Sequence, residues 1–390
     1  MAKKKTTKKK TTKKQATRKK ATKKVSKKKT AKKKTAAGAK RVCATMEQHF
    51  HLAAMDATYR ANRRQIETFS RTARVAPRTA IARIPVVVHV LYNDDPQDIG
   101  QEQIDAQIGA LNRDFRLRND DRTEVPEPFR PFVADTLIEF ALAVRDPQGC
   151  ATTGVTRTFT SLAEFPYDDF DPEAITRLDE LIKHDEHGIV PWPREDYLNL
   201  WVCSIEGGLL GYAQFPGGPA STDGVVINNT AFGSGGIAQA PFDLGRTGVH
   251  EVGHYLNLLH IWGDDDGACS ASDNVADTPN QAGANTQAPT FPRVSCNNGP
   301  HGDMFMNYMD YVDDAAMMMF TRGQLARMNA ALAGPRASLL NSQGLVPVET
   351  EPESYGGVPA AALESAEHRA ELGGTGVTTV FDGVSWVPMT

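Results

Sequence analysis

The stretch HEVGHYLNLLH, residues 250–260, constrains the fold of this chain more than any other feature. Residues four apart lie on one face of an α-helix, so His250 and His254 can present ring nitrogens to the same metal ion. His260 reaches that ion only if the helix ends soon after His254 and the chain folds back. Asn257 is the expected site of the bend, because asparagine tolerates the left-handed conformation that closes many helices.

Three imidazole ligands leave one position of a tetrahedral zinc ion open for water, as in catalytic rather than structural zinc sites. Glu251 can act as the general base, since zinc lowers the pKa of its bound water from about 16 to roughly 7. Asp264 is a candidate to orient the His260 ring by accepting a hydrogen bond from the ring nitrogen that does not bind the metal. The alternative is that these histidines are ordinary core or surface residues. With only 10 histidines in 390 residues, the spacing instead favours a zinc hydrolase.

The longer stretch HEVGHYLNLLHIWGD, residues 250–264, resembles the zinc motif of the metzincin metallopeptidases, in particular the pappalysin family with its cytophagalysin and ulilysin branches. The chain departs from the usual pattern at Asn257, where most metzincins have glycine. NYMDYVDD, residues 307–314, is similar to the methionine turn of the family, which implies that Met309 lies under the three histidines. Tyr311 matches a tyrosine that approaches the metal or the tetrahedral intermediate in related enzymes, and a packed core tyrosine is the alternative.

The resemblance covers residues 41–335. It implies an α+β fold of the metzincin (zincin-like) type, with a twisted mixed β-sheet, an active-site helix and a methionine turn. Hydrophobic patterns agree with this order of elements. They predict strands at residues 84–92, 138–144, 197–205 and 224–227, a helix with Ile104, Ile108, Leu111 and Phe115 on one face, and a helix capped by Thr321 and Gln324.

RVCATMEQ, residues 41–48, resembles the start of the pappalysin pro-segment, in which a cysteine ligates the zinc and blocks the water site. Cys43 is the predicted cysteine switch, because a thiolate is a strong zinc ligand. A free thiol in a linker is the alternative, and Ala44 stands where the family motif commonly has glycine. GLLGYAQFP, residues 208–216, lies where the family has the rim strand that pairs with an extended substrate, although a connecting hairpin fits it equally.

Cys269 and Cys296 stand at positions that resemble a disulfide of the pappalysin family, and this bridge would staple the polar loop after the third histidine. The chain-entropy argument gives a closed loop of this size roughly 3 kcal/mol of stabilisation. The resemblance also implies calcium near the active site, with Asp273 and Thr278 as oxygen ligands. Solvated loop side chains are the alternative at these two positions.

Residues 1–42 contain 21 of the 44 lysines and arginines and no aspartate or glutamate. The remaining chain has 23 basic and 47 acidic residues, so the formal net charge of −3 hides a basic tail and a strongly acidic remainder. Lysine clusters at about every fifth position build neither a helix face nor a strand face, which predicts a disordered tail. Such a tail binds polyanions through counterion release. Nucleic acid, an anionic surface and the acidic part of the same chain are the candidate partners, and a solvated extension is the alternative.

These features predict four regions. They are a lysine-rich disordered tail at residues 1–41, a pro-segment at 42–80, a metzincin catalytic domain at 81–342 and a linker with a C-terminal hairpin extension at 343–390. Asp382 and Gly383, between two short apolar alternations, are the expected hairpin turn. A lone hairpin is marginal in water, so we expect it to dock on the catalytic domain or on a partner.

No apolar run in the sequence is long enough to span a membrane, and no standard signal peptide is visible. The family resemblance nevertheless suggests a secreted enzyme, and a disulfide is typical of that environment. The basic N-terminus instead suggests a cytoplasmic or nucleoid protein. The sequence leaves both compartments open.

Together, these patterns predict a zinc-dependent endopeptidase made as a latent zymogen that acts on protein or peptide substrates. The predicted site consists of the zinc ligands His250, His254 and His260, the general base Glu251, and Tyr311 as an aid to the oxyanion. The main alternative is a polyanion-binding protein with a degenerate zinc site. A non-peptide zinc amidohydrolase is a third hypothesis, which the methionine turn disfavours.

Overall fold

A computed structural model describes residues 40–348, apart from residues 74, 172, 185 and 266, together with the backbone of two short strands near the C-terminus. Residues 1–39 of the predicted lysine-rich tail and most of the C-terminal extension lie outside the described residues. The domain boundaries given above therefore stay predictions.

The described chain mixes helices and strands before the metal motif. The α-helices are α1 Thr45–Met55, α2 Ala57–Thr72, α3 Gln101–Phe115, α4 Ala174–Ile182, α5 Arg246–Tyr255 and α6 Arg322–Ala333. The strands are β1 Ala82–Tyr92, β2 Ile138–Leu142, β3 Val155–Phe159, β4 Leu198–Cys203, β5 Gly211–Ala213, β6 Val225–Asn228, β7 Thr286–Gln287, β8 Tyr311–Val312, β9 Thr379–Phe381 and β10 Trp386–Pro388. Short 3-10 helices occur at Asp120–Glu124, Glu127–Phe132, Glu206–Gly208, Ala220–Thr222, Asn229–Ala231, Asp314–Ala316 and Ala337–Asn341.

A six-stranded mixed sheet forms the frame of the molecule, with the strand order β2–β1–β4–β6–β5 and with β3 paired to β1. All neighbouring strands are parallel except β5, which is antiparallel to β6. β5 forms one edge of the sheet, and α5 packs against it. This arrangement agrees with the predicted α+β fold.

The sheet is buried on both faces. The even-numbered residues of β1 from Ile84 to Val90 pack in one cluster with side chains of α3 and α5. Leu91 and Trp201 belong to a second cluster that includes α4. α3 and α5 pack on the same face of the sheet. α5 contacts β5 and β6, so the metal motif lies close to the edge of the sheet that β5 forms.

The predicted strands are present with shifted ends. The first begins two residues earlier than predicted, at Ala82, and the predicted rim strand is confined to β5. The capping box predicted for Thr321 and Gln324 is formed at the start of α6. β3 and α4 were not predicted. β3 has no fully buried position, so its hydrophobic alternation is weak, whereas the apolar residues of α4 do recur at helical spacing.

Two helices, α1 and α2, follow Cys43, and they are separated by Asp56. The Asp56 carboxylate accepts a hydrogen bond from the Thr58 N–H at 2.7 Å and so caps the start of α2. α2 packs against both α1 and α6. Residues 40–73, which contain both helices, are called the N-terminal segment below.

Near the C-terminus, β9 and β10 pair in antiparallel register. This pairing agrees with the predicted hairpin, while its predicted turn residues, Asp382 and Gly383, lie outside the described residues. Docking of the hairpin stays a prediction. Within the described part of the chain, no helix is long and apolar enough to cross a membrane.

Candidate metal centre

α5 and the turn after it carry the metal motif. α5 ends just before Asn257, whose φ of 74° lies in the left-handed region. The Asn257 N–H donates to the His254 carbonyl at 2.8 Å, and the Leu258 N–H donates to the Gly253 carbonyl at 3.0 Å. This is the Schellman arrangement, in which two amides beyond the helix satisfy carbonyls of its last turn. The bend expected from the sequence is therefore present.

The three histidines of the motif meet inside the protein. Nε2 of His254 lies 3.1 Å from Nε2 of His250 and 3.1 Å from Nε2 of His260. Two donors on a tetrahedral zinc ion, each about 2.05 Å from the metal, are about 3.3 Å apart. The spacing of these nitrogens therefore fits a single zinc ion.

Backbone carbonyls orient two of the imidazoles. Nδ1 of His250 donates to the Tyr308 carbonyl at 2.7 Å, and Nδ1 of His254 donates to the Leu258 carbonyl at 2.8 Å. A carbonyl only accepts, so Nδ1 carries the hydrogen and Nε2 keeps its lone pair. Burial lowers the pKa of both rings well below the usual value, and the neighbouring imidazoles add to the shift. Both rings are therefore neutral, the form that binds a metal.

A carboxylate orients the third imidazole. Nδ1 of His260 donates to the Asp264 carboxylate at 2.8 Å, as expected from the sequence. Trp262 stacks on the same ring, with ring centres 4.3 Å apart. The ring of His260 is therefore fixed in direction, and its Nε2 faces the other two histidines.

Cys43 joins the three histidines as a fourth donor. Its Sγ and the donor nitrogens all lie within 4.8 Å of one another, and all four residues are buried. Burial raises the pKa of the Cys43 thiol well above its ordinary value, and the Glu251 carboxylate adds to the shift. A metal ion competes with that proton for the sulfur. One thiolate with three imidazoles is a donor set that suits zinc, and the described residues contain no other group of three or more such side chains close enough to bind a metal.

Glu251 lies beside these donors. Its Oε2 accepts hydrogen bonds from Cys43 Sγ at 3.4 Å and from Thr45 Oγ1 at 3.0 Å. Burial raises the pKa of Glu251 to about 7, and the two hydrogen bonds oppose this shift. A Cβ atom on Gly211 would lie 3.1 Å from the Glu251 Cγ and 2.8 Å from the Val226 carbonyl oxygen. Only glycine at this position lets the edge strand pass so close to the carboxylate.

The N-terminal segment pairs with the edge strand at Cys43. The Leu210 N–H donates to the carbonyl of the residue before Cys43 at 3.0 Å, and the N–H of the residue after Cys43 donates to the Gly211 carbonyl at 3.2 Å. The Tyr311 hydroxyl donates to the Cys43 carbonyl at 3.3 Å. A peptide backbone thus occupies the rim, with one carbonyl within reach of Tyr311.

Arg41 enters a buried pocket two residues before Cys43. Its Nη2 lies 2.6 Å from Asp314 Oδ1, and both side chains are at most 1% exposed. Nη1 donates to Thr247 Oγ1 at 2.8 Å, and the guanidinium carbon lies 4.9 Å from the centre of the Phe242 ring. The pocket therefore surrounds a guanidinium group with a carboxylate, a hydroxyl and an aromatic face.

The sequence did not predict the contacts of Arg41, Thr45 and Asp314. Arg41 and Thr45 lie on either side of Cys43, in the stretch that resembles a pro-segment. This position is the only sequence signal that points to them. Their partners lie more than 200 residues away in sequence. A single sequence does not reveal such pairs.

Met309 lies under the metal motif. It is fully buried, and its N–H donates to Asn307 Oδ1 at 2.9 Å. A Cβ atom on Gly253 would lie 2.5 Å from the Met309 sulfur. The Met309 side chain thus fills the space beside α5 that a side chain at position 253 would need.

Cys269 and Cys296 form the disulfide expected in the loop after the third histidine, with Cα atoms 5.5 Å apart. Apart from Cys43, the remaining cysteines are Cys150 and Cys203. Both are free thiols, and the first is exposed whereas the second is buried. The bridge joins two cysteines that are 27 positions apart in sequence and closes the loop between them.

The predicted calcium ligands lie in contact with each other. The Thr278 hydroxyl lies 2.9 Å and 2.8 Å from the two carboxylate oxygens of Asp273, and the Val275 N–H donates to Asp273 Oδ1 at 3.0 Å. Burial raises the pKa of Asp273 to about 7. These contacts describe a closed turn, and the role of calcium there stays a prediction.

Comparison with known proteins agrees with this site. The sequence profile of the M43 peptidase family, described as Pregnancy-associated plasma protein-A, matches residues 183–333. The extracellular metalloprotease of Pyricularia oryzae is 43% identical over 146 residues, which cover 36% of this chain and 50% of that protein. Extracellular metalloprotease 1 of Coccidioides posadasii is 42% identical over 141 residues, 34% of this chain and 48% of that protein. The chain therefore spans about half the length of the curated relatives it matches.

Two solved structures are similar over most of their length. A mutant of promirolysin from Tannerella forsythia has 42% sequence identity and a TM-score of 0.68, covering 77% of this chain and 97% of that chain. Mature mirolysin from the same organism, in complex with a cleaved peptide, has 46% identity and a TM-score of 0.63, covering 68% of this chain and 97% of that chain. The mixed sheet, the histidines at the end of α5 and the methionine turn define a metzincin catalytic domain. The chain belongs to the pappalysin family of metallopeptidases.

We expect Gly253→Ala to destabilise the metal-free protein by about 1–3 kcal/mol, because the added methyl group must displace the Met309 sulfur. Gly109→Ala is the matched control, since Gly109 also lies inside a helix and a Cβ atom there would meet open space. This control should raise the free energy of unfolding by about 0.5–1 kcal/mol. Denaturant unfolding of both variants measures the difference. Equal stabilities would show that Met309 is not packed tightly against α5.

Proposed function

We propose that the chain is a zinc-dependent endopeptidase made in a latent form, with Cys43 in the fourth ligand position of the zinc ion. The observation that carries this proposal is the group of four buried donors, Cys43 and three histidines, within 4.8 Å of one another. The relatives support the same class, because two of them are extracellular metalloproteases and another is a mirolysin bound to a cleaved peptide.

When bound, zinc supplies a Lewis acid that polarises the substrate carbonyl and lowers the pKa of water. His250, His254 and His260 would hold the ion through Nε2. The partners on their Nδ1 atoms keep these rings from turning, which preserves the geometry through a catalytic cycle.

Glu251 is the proposed general base. Its Oε2 lies 3.4 Å from the Cys43 sulfur, so it is positioned to take a proton from a water molecule that replaces the sulfur. It then delivers that proton to the leaving amine. Tyr311, whose hydroxyl already donates to a peptide carbonyl, is the proposed donor to the substrate carbonyl oxygen as negative charge develops there.

The N-terminal segment supports latency in two ways. Its sulfur lies among the zinc ligands, and its backbone pairs with β5, where an extended substrate would add a strand. Promirolysin also covers 77% of this chain, against 68% for mature mirolysin. A segment that fills both positions excludes a substrate until it is released.

The first test follows cleavage of an added unfolded protein by the full chain with zinc and calcium, using mass spectrometry to map new peptide termini over time. We expect the wild type to cut after a lag, including once after the N-terminal segment. Cys43→Ala should cut with little lag, because the ligand position is open. Glu251→Ala should be slower by at least about a hundredfold, since general-base catalysis contributes that much.

Metal analysis of Glu251→Ala is the control, because the variant must contain zinc for its inactivity to implicate the base. Wild-type cleavage rates in zinc-loaded Glu251→Ala would exclude the proposed mechanism. An equal lag in the wild type and in Cys43→Ala would exclude the cysteine switch.

The Arg41 pocket supports a preference for arginine next to the scissile bond. Asp314 Oδ2 accepts hydrogen bonds from the N–H groups of Leu244 and Arg246, at 2.8 Å and 3.2 Å. Its Oδ1 remains for the guanidinium group, 2.6 Å from Arg41. After release of the N-terminal segment, the same carboxylate and Thr247 are available to a substrate. A buried carboxylate left without its partner is unfavourable, so the pocket should select arginine strongly.

Asp314→Asn should therefore reduce kcat/KM of the processed enzyme for arginine-containing peptides by about a hundredfold, the cost of losing a buried charge pair. Peptides with leucine in place of arginine should be affected much less. Asp313→Asn is the matched control, because it removes the charge of a neighbouring, half-buried carboxylate, whereas Asp314 forms the direct ion pair with Arg41. Competition between the two peptides in one reaction gives the ratio directly, and an unchanged preference for arginine would refute the assignment of this pocket.

Calcium remains a cofactor implied by the family resemblance. Asp273 and Thr278 offer oxygen ligands in a closed turn, and the carboxylate of Asp273 is buried. Thermal unfolding in a calcium titration decides the point. Stabilisation of the wild type but not of Asp273→Asn supports a site there, and an equal response of both proteins opposes it.

The extracellular relatives support secretion of this chain. A polyanion-binding protein with a degenerate zinc site is the weaker hypothesis, because His250, His254, His260 and Glu251 form a complete set. Polyanion binding by residues 1–41 is a separate prediction that the enzyme proposal does not exclude. Retention of the full chain on a DNA column at increasing salt tests it.

A further inference from the structure

We propose that Asn257 is a second latch of the latent form, which holds α2 against the turn of the metal motif. This inference rests on the latency proposed above and adds a residue to it that is not a zinc ligand. Asn257 lies three residues after His254, at the position where the backbone is left-handed. Its side chain is fully buried.

Both side-chain hydrogen bonds of Asn257 go to α2. Its Oδ1 accepts from Arg63 Nη1 at 2.7 Å, and its Nδ2 donates to Ser70 Oγ at 3.3 Å. Arg63 and Ser70 are seven residues apart, two turns of one helix, so they lie on the same face. The amide group thus recognises one face of α2 at two points.

The contact is part of a closed network that also includes α6. Arg63 Nη2 lies 2.9 Å from Glu67 Oε1, and the Glu67 carboxylate binds Arg327 at 2.8 Å and 3.0 Å. Arg327 Nε donates to the Asn257 backbone carbonyl at 2.9 Å. Asn257, Arg63, Glu67 and Arg327 form the turn network. Two of its members belong to the N-terminal segment, so release of that segment opens it.

Arg63 is positioned by more than this network. Its guanidinium carbon lies 4.9 Å from the centre of the Phe215 ring, and Nη1 also donates to the Pro216 carbonyl at 3.2 Å. The Phe215 ring in turn contacts the ring of His254, with centres 5.4 Å apart. A buried arginine held in this way presents its charge to Asn257 with little freedom to move.

The backbone conformation gives an independent reason to assign the side chain a role. Glycine adopts a φ of 74° without a steric cost, and asparagine only tolerates it. A turn needed only to close α5 is therefore served best by glycine. Asparagine adds two hydrogen bonds that exist only while α2 is docked. Its contribution thus belongs to the latent form and not to the zinc site.

Hydrogen exchange in the full chain tests this assignment. The zinc-loaded protein carries Glu251→Ala throughout, so that it does not cut itself, and mass spectrometry follows the amides of α2. We expect Asn257→Gly to speed exchange in α2 by about tenfold, since one lost hydrogen bond is to a charged group. Exchange in α5 should not change, because glycine accepts the same turn.

Asn297→Gly is the matched control. Asn297 also has a positive φ, of 59°, but its side chain is exposed. The control should leave exchange in α2 unchanged. If Asn257→Gly leaves α2 unchanged, or speeds exchange in α5 as much as in α2, the latch assignment is wrong and the residue serves only to end the helix.

A second readout separates this inference from the proposal of latency. The lag before cleavage is compared in wild type, Cys43→Ala and Asn257→Gly, all with Glu251 intact. A lag for Asn257→Gly that is several-fold shorter than in the wild type supports the latch. If Cys43→Ala shortens the lag and Asn257→Gly does not, only the latch is refuted. If neither variant shortens the lag, latency and latch are both refuted.

Discussion

The left-handed turn at Asn257 is the constraint on which the metal site depends. It ends α5 through two backbone hydrogen bonds and lets His260 return to the other two histidines. The same turn positions the Leu258 carbonyl that orients His254. α5 itself is fixed by the sheet above it and by Met309, which packs where Gly253 has no side chain. The grouping of the three histidines and the end of α5 are therefore consequences of one local conformation.

The N-terminal segment is anchored on both sides of Cys43. Before Cys43, Arg41 forms a buried ion pair with Asp314, and after it α2 enters the turn network through Arg63. These anchors place the sulfur beside the three imidazoles, so in the proposed latent form its position does not depend on a bond to zinc alone. Buried charges are unfavourable when their partners leave. In the proposed zymogen, release of the segment would therefore expose the Asp314 carboxylate to a substrate arginine.

The metal motif could be predicted because its chemistry is local. His250, His254 and His260 lie within eleven residues, and helix geometry relates their spacing to a common point. The mixed sheet followed from apolar runs and from family resemblance. The ion pair of Arg41 with Asp314 joins residues 273 positions apart, and no local pattern encodes it. The partners of Asn257 were missed for the same reason, although its departure from glycine marked the position.

X-ray absorption at the zinc edge of the full chain measures whether Cys43 is a zinc ligand. We expect one sulfur at about 2.3 Å and three nitrogens at about 2.0–2.1 Å from zinc. In Cys43→Ala, the sulfur signal should disappear while the nitrogen signal remains. A full-length wild-type spectrum with nitrogen and oxygen ligands alone would show that Cys43 is not a zinc ligand, and the proposed cysteine switch would be wrong.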